Sequence, residues 1–374
     1  MTRPERCWRR CRRTATVGEA EAGLPRNRPW IRSLTRRRGR SPTILPPRGF
    51  RGGWRDRHPG RSGARSPGNV PHRFGTFSFS REPDSRSFTG VLTPSPNDVR
   101  AAVRAALAED VGTGDVTTLA CVPPDSTSRA EIRAREPAVV CGLAFATAAF
   151  WELSANLDLC PAVSDGARVE KGVPVLGISG ASRAILTAER VALNFLQRLS
   201  GIATLTARYV DAVAGTGARI LDTRKTTPGW RIFEKYAVAC GGGANHRIGL
   251  YDRILIKDNH LAALTHAQPD PISAAVARAR HLYPTLGVEV EADSLDQVRC
   301  AAEAGADYIL LDNMSLPMLR EAVASVGGRS RTEASGGVRL DTVRAIAETG
   351  VDFISVGALT HSAPAVDLGL DFLS

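Results

Sequence analysis

Val288-Glu289-Val290, Tyr308-Ile309-Leu310-Leu311, Thr332-Glu333-Ala334 and Phe353-Ile354-Ser355-Val356 are four short strand-like runs. Their starts recur about every twenty to twenty-four residues. Amphipathic segments lie between them: Leu295–Ala304, Pro317–Ser325 and Leu340–Thr349. The first and third are followed or closed by Gly305 and Gly350, which suit helix C-caps. This is the strand-then-helix repeat of a parallel sheet. Ala218–Asp222 and Arg253–Ile256 extend the series upstream to six strands. A doubly wound open sheet and a β/α barrel both satisfy the repeat. The polar residues decide for the barrel: Arg224-Lys225, Lys257, Glu291, Asp312, Ser335 and Gly357 each sit at or past the end of a different apolar run. In a barrel all six ends open onto one mouth, whereas in an open sheet they would be strung along an edge. Six strands fall short of the usual eight, so the barrel is expected to be open or incomplete.

Ahead of this repeat the pattern is that of a small α+β module. Asn97 or Asp98 can cap a helix over Val99–Ala108; Ser128–Ala134 alternates as a strand, Ala138–Cys141 is a brief apolar run, and Leu143–Leu153 reads as a helix. A long helix is expected from Leu186 to about Ala214, with Leu186, Ala188, Val191, Phe195, Leu199 and Ile202 as its apolar stripe and a break or kink at Gly201. The expected organisation is an extension over 1–95, an N-terminal domain over 96–205, a barrel over 206–358, and a C-terminal segment over 359–374 that packs back on the N-terminal domain.

Composition narrows the function classes. The chain has 374 residues, 43% hydrophobic and 23% charged, as in globular proteins. It holds no run of eighteen apolar residues, so no membrane-spanning helix is expected. The formal charge of +11 is unevenly placed: residues 1–95 carry 22 Arg and 6 acidic groups, net +16, and the rest carry 27 basic and 32 acidic groups, net −5. The Arg/Gly/Pro/Ser-rich extension shows no apolar periodicity and is expected to be disordered. A basic arm for nucleic acid or organelle import is one reading of it; read-through of GC-rich upstream DNA is the other. It lacks the aromatic interleaving of a nucleic-acid groove, so no nucleic-acid partner is expected. The seven cysteines are odd in number and contain no CxxC pair, which argues for reduced thiols in a cytoplasmic protein and against a disulfide framework or a zinc site.

The mouth is rich in cations: Arg224 and Lys225, His246 and Arg247, then Lys257. Three of the four lysines lie between Lys225 and Lys257 in a chain that otherwise uses arginine. A polyanionic substrate fits such clustering. Glu291 and Asp312 supply the hard oxygens that Mg2+ or ribose hydroxyls require; structural ion pairs to neighbouring cations are the plainer alternative. Gly241-Gly242-Gly243 is a flexible turn or an anion cradle. The backbone at Ser335-Gly336-Gly337 and Val356-Gly357-Ala358, ending the last two strands, is where barrels bind phosphate. No P-loop, GxSxG elbow or HExxH helix is present.

Asp222-Thr223-Arg224-Lys225-Thr226-Thr227-Pro228-Gly229, Gly241 through Leu250, and Leu255-Ile256-Lys257-Asp258-Asn259-His260 resemble the quinolinate phosphoribosyltransferases. Glu109 through Asp115, Glu189 through Asn194, Glu289-Val290-Glu291, Leu311-Asp312-Asn313 and Ser335-Gly336-Gly337 agree in order and spacing. The resemblance runs from about residue 96 to the C-terminus. It implies an N-terminal α/β sandwich followed by an open α/β barrel, in a head-to-tail homodimer that can assemble further. The implied reaction joins quinolinate to phosphoribosyl pyrophosphate with magnesium, giving nicotinate mononucleotide, pyrophosphate and CO2 for NAD synthesis. It further implies that Arg224, His246, Arg247 and Lys257 hold the two carboxylates of quinolinate, with Arg190 entering from the neighbouring subunit. By the same resemblance Lys225 lies near the pyrophosphate and Glu291 and Asp312 handle ribose and metal. Thr223, Ser335, Gly336, Gly337, Val356, Gly357 and Ala358 are implied as the phosphate-binding stretch. Three rivals remain: a phosphoribosyltransferase for nicotinate, which needs to hold one carboxylate only; a Schiff-base lyase using Lys225 or Lys257; and a nucleic-acid binder acting through the basic arm, with salt-sensitive affinity.

Overall fold

The computed structural model describes residues 92–373. The disordered extension expected over 1–95 therefore lies, up to residue 91, outside the described residues.

The N-terminal layer comprises α1 (Pro96–Val111), α2 (Val116–Cys121), β1 (Thr127–Ala134), β2 (Ala138–Val139), α3 (Leu143–Leu153), β3 (Asp158–Pro161), β4 (Arg168–Val169), β5 (Pro174–Ala181) and α4 (Ser182–Ala212). The cap of α1 is Ser95 rather than Asn97 or Asp98. Its Oγ accepts the Asp98 N–H at 3.2 Å, and the Asp98 carboxylate accepts the Ser95 N–H at 3.1 Å. With Pro96 at the first turn, this capping box starts the helix earlier than its apolar pattern does.

The helix α4 runs 31 residues without a break at Gly201, contrary to expectation. A Cβ at residue 201 would stand 2.0 Å from the Pro364 carbonyl oxygen. Gly201 is there because the returning C-terminal chain crosses the helix at that point, and burial on both sides outweighs its poor helix propensity. Five of the six stripe residues, Ala188, Val191, Phe195, Leu199 and Ile202, are in the core; Leu186 is only half-buried, and Ile185 one position earlier takes its place. Phe195 stacks on Phe145 of α3 at 4.9 Å and on Trp230 at 5.0 Å.

The second part contains β6 (Arg219–Leu221), α5 (Arg231–Cys240), β7 (Ile254–Ile256), α6 (Asp258–Ala262), α7 (Pro271–Leu282), β8 (Val288–Ala292), α8 (Leu295–Glu303), β9 (Tyr308–Asp312), α9 (Leu316–Val326), β10 (Arg331–Ser335), α10 (Val343–Ala347), β11 (Phe353–Ser355), α11 (Ala358–His361) and β12 (Leu368–Leu373). Its strands pair in parallel in the order β6-β11-β10-β9-β8-β7. The order never reverses, and the first strand lies beside the last, as closure of a barrel demands. The gap falls between β6 and β7, where Ala244 makes a single parallel bridge to Leu221 instead. The fold is thus an open, incomplete β/α barrel with a separate α/β layer. Strand β12 leaves the barrel and pairs antiparallel with β1, completing a four-stranded sheet in the order β12-β1-β5-β3.

Sequence periodicity missed α5, α6 and α7, and it placed most barrel element ends one to three residues from where they fall. Cys121, Cys141, Cys240 and Cys300 are free thiols. Among the described residues no helix is long and apolar enough to cross a membrane.

Candidate active site

Alternation along the strands determines which side chains enter the barrel. In β8, Glu289 and Glu291 share one face; in β9, Tyr308, Leu310 and Asp312 do; in β10, Glu333 and Ser335. Leu221, Ala244, Tyr308 and Phe353 form a small apolar cluster separate from the main core.

A polar layer is buried with them. His246 Nε2 lies 3.1 Å from Glu289 and 3.5 Å from Glu333, and both carboxylates are fully buried. Burial, reinforced by Glu289, pushes Glu333 up to about 8, so near neutral pH it keeps its proton. Burial acts on Glu289 in the same sense, but the charges of His246 and Arg253 and a hydrogen bond from His246 outweigh it and leave Glu289 below the usual range. Burial would pull His246 down, yet the two carboxylates together raise it. Its Nδ1 meanwhile lies 2.7 Å from the Arg247 N–H, so in the neutral ring Nδ1 accepts and the proton sits on Nε2, towards Glu289. Both ring nitrogens are thus committed to the protein. In this geometry His246 orients Arg247 and leaves no nitrogen for a substrate carboxylate, which modifies the role implied for it.

The loop before His246 is fixed by a second buried cluster. Lys235 of α5 pairs with Asp222 at the end of β6, both fully buried, and also donates to the His246 carbonyl at 2.9 Å. Asp222 accepts the His246 N–H at 2.8 Å and the Asn245 side chain at 2.7 Å. Lys235 therefore leaves the set of mouth cations into which its position in sequence had drawn it. The glycine run is neither loose nor an anion cradle: a Cβ at Gly241 would lie 2.4 Å from the Ala203 carbonyl oxygen, and one at Gly243 2.8 Å from Thr206 and Val238. These glycines let the loop close on α4 and α5.

The rim carries the remaining candidates. Lys257, half-buried, pairs with Glu291. Among the described residues Arg224 has its Nε buried with no hydrogen-bond partner, an orphan donor of the sort a bound anion satisfies. Burial and then the neighbouring Arg224 charge hold Arg247 below its ordinary value, so the two guanidiniums lie within electrostatic reach of each other. Thr223 Oγ1 accepts the Lys225 N–H at 3.0 Å, and Thr360 donates to the Lys225 carbonyl at 2.7 Å. The Lys225 side chain itself is exposed, and its Cδ would stand 3.2 Å from a Cβ at Gly357, which brings Lys225 to the Val356-Gly357-Ala358 turn.

On the neighbouring strands, Asn313 adopts a left-handed φ of 54° and donates to Asp312 at 2.8 Å. Its backbone N–H reaches the Ser335 carbonyl at 2.9 Å, and a Cβ at Gly336 would collide with its Oδ1 at 2.1 Å. Asn313 therefore couples Asp312 to the Ser335–Gly337 turn. Sequence reasoning quoted Asn313 but gave it no role; a non-glycine residue directly after a strand-ending carboxylate was the available signal. Glu234 was missed as well. Fully buried, it pairs with Arg198 at 2.9 Å and accepts from the Thr227 N–H at 3.0 Å and hydroxyl at 2.8 Å, fixing the loop after Lys225. Arg190 stands apart from these residues: it is exposed on α4 and makes no hydrogen bond or ion pair to the rim among the described residues.

A barrel whose mouth joins neighbouring guanidiniums, a lysine beside a glycine turn and two strand-ending carboxylates defines a class of enzyme acting on polyanionic small molecules. The comparisons make this specific. Residues 115–200 match the family model described as quinolinate phosphoribosyl transferase, N-terminal domain, and residues 202–371 match the C-terminal domain of the same family. The nicotinate-nucleotide pyrophosphorylase [carboxylating] of Mycobacterium leprae is 44% identical over 278 residues, 73% of this chain and 96% of that protein. The chloroplastic protein of that name from Oryza sativa is 43% identical over 292 residues, 73% of this chain and 77% of the other. The solved nicotinate-nucleotide pyrophosphorylase of Francisella tularensis matches with a TM-score of 0.71 at 41% identity, covering 76% of this chain and 99% of that one. This chain belongs to the quinolinate phosphoribosyltransferase family.

Proposed function

We infer that this chain is a decarboxylating quinolinate phosphoribosyltransferase: it transfers phosphoribosyl from phosphoribosyl pyrophosphate to quinolinate, releasing pyrophosphate and CO2 and forming nicotinate mononucleotide for NAD biosynthesis. The observation that carries this reading is the buried Arg224 Nε, without a hydrogen-bond partner among the described residues and close enough to Arg247 for its charge to be felt there, in a chain of this family. A dicarboxylate supplies that partner. Lys257 contributes once a substrate carboxylate shares it with Glu291.

Breaking the bond between C1 of the ribose and pyrophosphate builds positive charge on the sugar, and Glu291 and Asp312 offset it from the strand ends. Lys225 and the Ser335–Gly337 and Val356–Ala358 turns receive the phosphates, with Thr223 holding the Lys225 backbone. Positioning and fixed charge supply the rate acceleration, of which orientation alone gives about 7–11 kcal/mol. The C–CO2 bond then breaks, its electron pair stays on the ring carbon stabilised by the quaternised nitrogen and is protonated from solvent, and no side-chain nucleophile is needed.

Glu291 and Asp312 fit magnesium by donor chemistry: they are hard carboxylate oxygens ending two paired strands, with Asp312 oriented by Asn313. When bound, the ion would neutralise phosphate charge. Arg190, exposed on α4, is assigned to the neighbouring active site of a homodimer, which accounts for its distance from the rim of its own chain. The proposed location is the cytoplasm.

The test is quinolinate-dependent CO2 release by the full chain with and without phosphoribosyl pyrophosphate and magnesium, repeated with Arg224→Ala. Release requiring both additions is expected in the wild type. Arg224→Ala should lose about 2–5 kcal/mol of quinolinate binding by leaving a carboxylate unpaired. Wild-type kinetics in that variant would overturn the assignment, and turnover of nicotinate in place of quinolinate would redirect it.

A further inference from the structure

Outside the barrel mouth, two thiols and a carboxylate from three separate parts of the chain meet at one point. Cys141 follows β2, Asp165 lies in the turn between β3 and β4, and Cys240 is the last residue of α5. The two Sγ atoms and an Asp165 carboxylate oxygen all lie within 4.8 Å of one another. Cys141 is fully buried, and Cys240 and Asp165 are half-buried.

We propose that Cys141, Cys240 and Asp165 form a zinc site. The donors are of the right chemistry: paired thiolates select a borderline-soft cation such as Zn2+ over Mg2+, and a carboxylate with one water completes four-coordination.

The surroundings are those of a built site. Asp165 is oriented from both sides, with Oδ1 accepting the Leu143 N–H at 3.1 Å and Oδ2 accepting the Tyr236 hydroxyl at 2.9 Å. Outer hydrogen bonds of this kind fix ligating carboxylates in metal sites. The Ser200 hydroxyl accepts the Cys141 N–H at 2.9 Å and so holds that residue's backbone. Gly166, at a φ of 86°, brings the Asp165 turn onto α5, where a Cβ would meet the Cys240 carbonyl oxygen at 3.4 Å. Burial pushes the Cys141 thiol up, while a hydrogen bond from Cys141 pulls the Cys240 thiol down, so the more exposed sulfur ionises first. Binding replaces two S–H bonds by two S–Zn bonds and sends two protons to solvent, with no change of oxidation state.

The placement gives the site a consequence. Cys240 immediately precedes Gly241–Arg247, the loop that carries His246 and Arg247. A metal there staples the root of that loop to the N-terminal layer, joining two thiols 99 positions apart in the chain. Spacing along the sequence argued against zinc because it tests only local ligand pairs.

The full chain, reduced and stripped with a chelator, is titrated with zinc against a chromophoric chelator. One tightly held zinc is expected in the wild type and in Cys121→Ser, and none at this affinity in Cys240→Ser. Tyr236→Phe removes an outer hydrogen bond and should weaken binding roughly tenfold. Substituted cobalt should show a thiolate charge-transfer band that Asp165→Asn shifts and Cys240→Ser removes. Because the Cys141 position is fully buried and its variant could fail to fold, Cys240→Ser and Asp165→Asn carry the decision, with unchanged circular dichroism as the control. No zinc uptake by the reduced wild type, or equal uptake by Cys240→Ser, would overturn the proposal. So would peptide mapping that finds Cys141 and Cys240 joined as a disulfide in protein prepared under reducing conditions.

Discussion

Glu289 and Glu291 stand two residues apart on one face of one strand, yet they belong to different regions of the barrel. Glu289 is sealed on the floor with His246 and Glu333, whereas Glu291 is on the rim, partly exposed, against Lys257. The lysines divide the same way: Lys235 is buried whole against Asp222, and Lys225 is exposed beside Gly357. A charge on the floor is already matched by protein groups, and its work is to hold the loop carrying Arg247. A charge on the rim is matched incompletely and is available to a substrate. Depth along the strand, more than residue type, separates charges already matched inside the protein from those open at the rim.

The two lysines put this division to its strongest test. Lys235→Ala should cost about 3–5 kcal/mol of stability, because it strands the Asp222 carboxylate in the interior; urea unfolding would read it. Lys225→Ala should leave the unfolding midpoint in place and lower kcat by about 10²–10³, the cost of removing one donor to developing charge. If both variants lost stability alike, floor and rim would not be distinct. Gly201→Ala probes the packing that joins the barrel's returning chain to α4. A loss of about 1–3 kcal/mol is expected, since the new methyl collides with the backbone at Pro364; an unchanged melting temperature would mean that the crossing chain gives way freely.

The gentlest probe is pH. Glu333 has a folded pKa raised from an ordinary 4.5 to about 8. Between those values the unfolded chain has lost this proton and the folded chain keeps it, so stability from this group is full below about pH 4.5 and falls as pH rises towards 8. Glu289, held low, acts in the opposite sense, and its contribution is lost as pH falls through its folded value. Glu333→Gln should therefore flatten the decline in melting temperature on the alkaline side and leave the acid side intact. The same slope in variant and wild type would show that the buried pair does not share a proton.

The barrel was legible because its evidence is local and repeated: apolar runs, helix-length spacers and a polar residue at each strand end. The long helix and its stripe were legible for the same reason. Glu234, Asn313 and the second role of Lys235 were not, because each acts through partners brought close only by folding. The glycines misled in the same way. Gly201 and Gly241 look like breaks in a one-dimensional pattern, and they are points where another piece of backbone passes within van der Waals distance.

Sequence by itself determined the fold class, the family and the residues that reach the mouth, since period and motif are properties of the chain. Tertiary structure alone decided which of those residues are free to act. It buried Lys235, occupied both nitrogens of His246, left Arg224 Nε without a partner among the described residues, and brought Cys141, Asp165 and Cys240 together. The reason is physical: the charge state and availability of a side chain depend on solvent access and on neighbours distant in the chain, and neither is fixed until the layers pack.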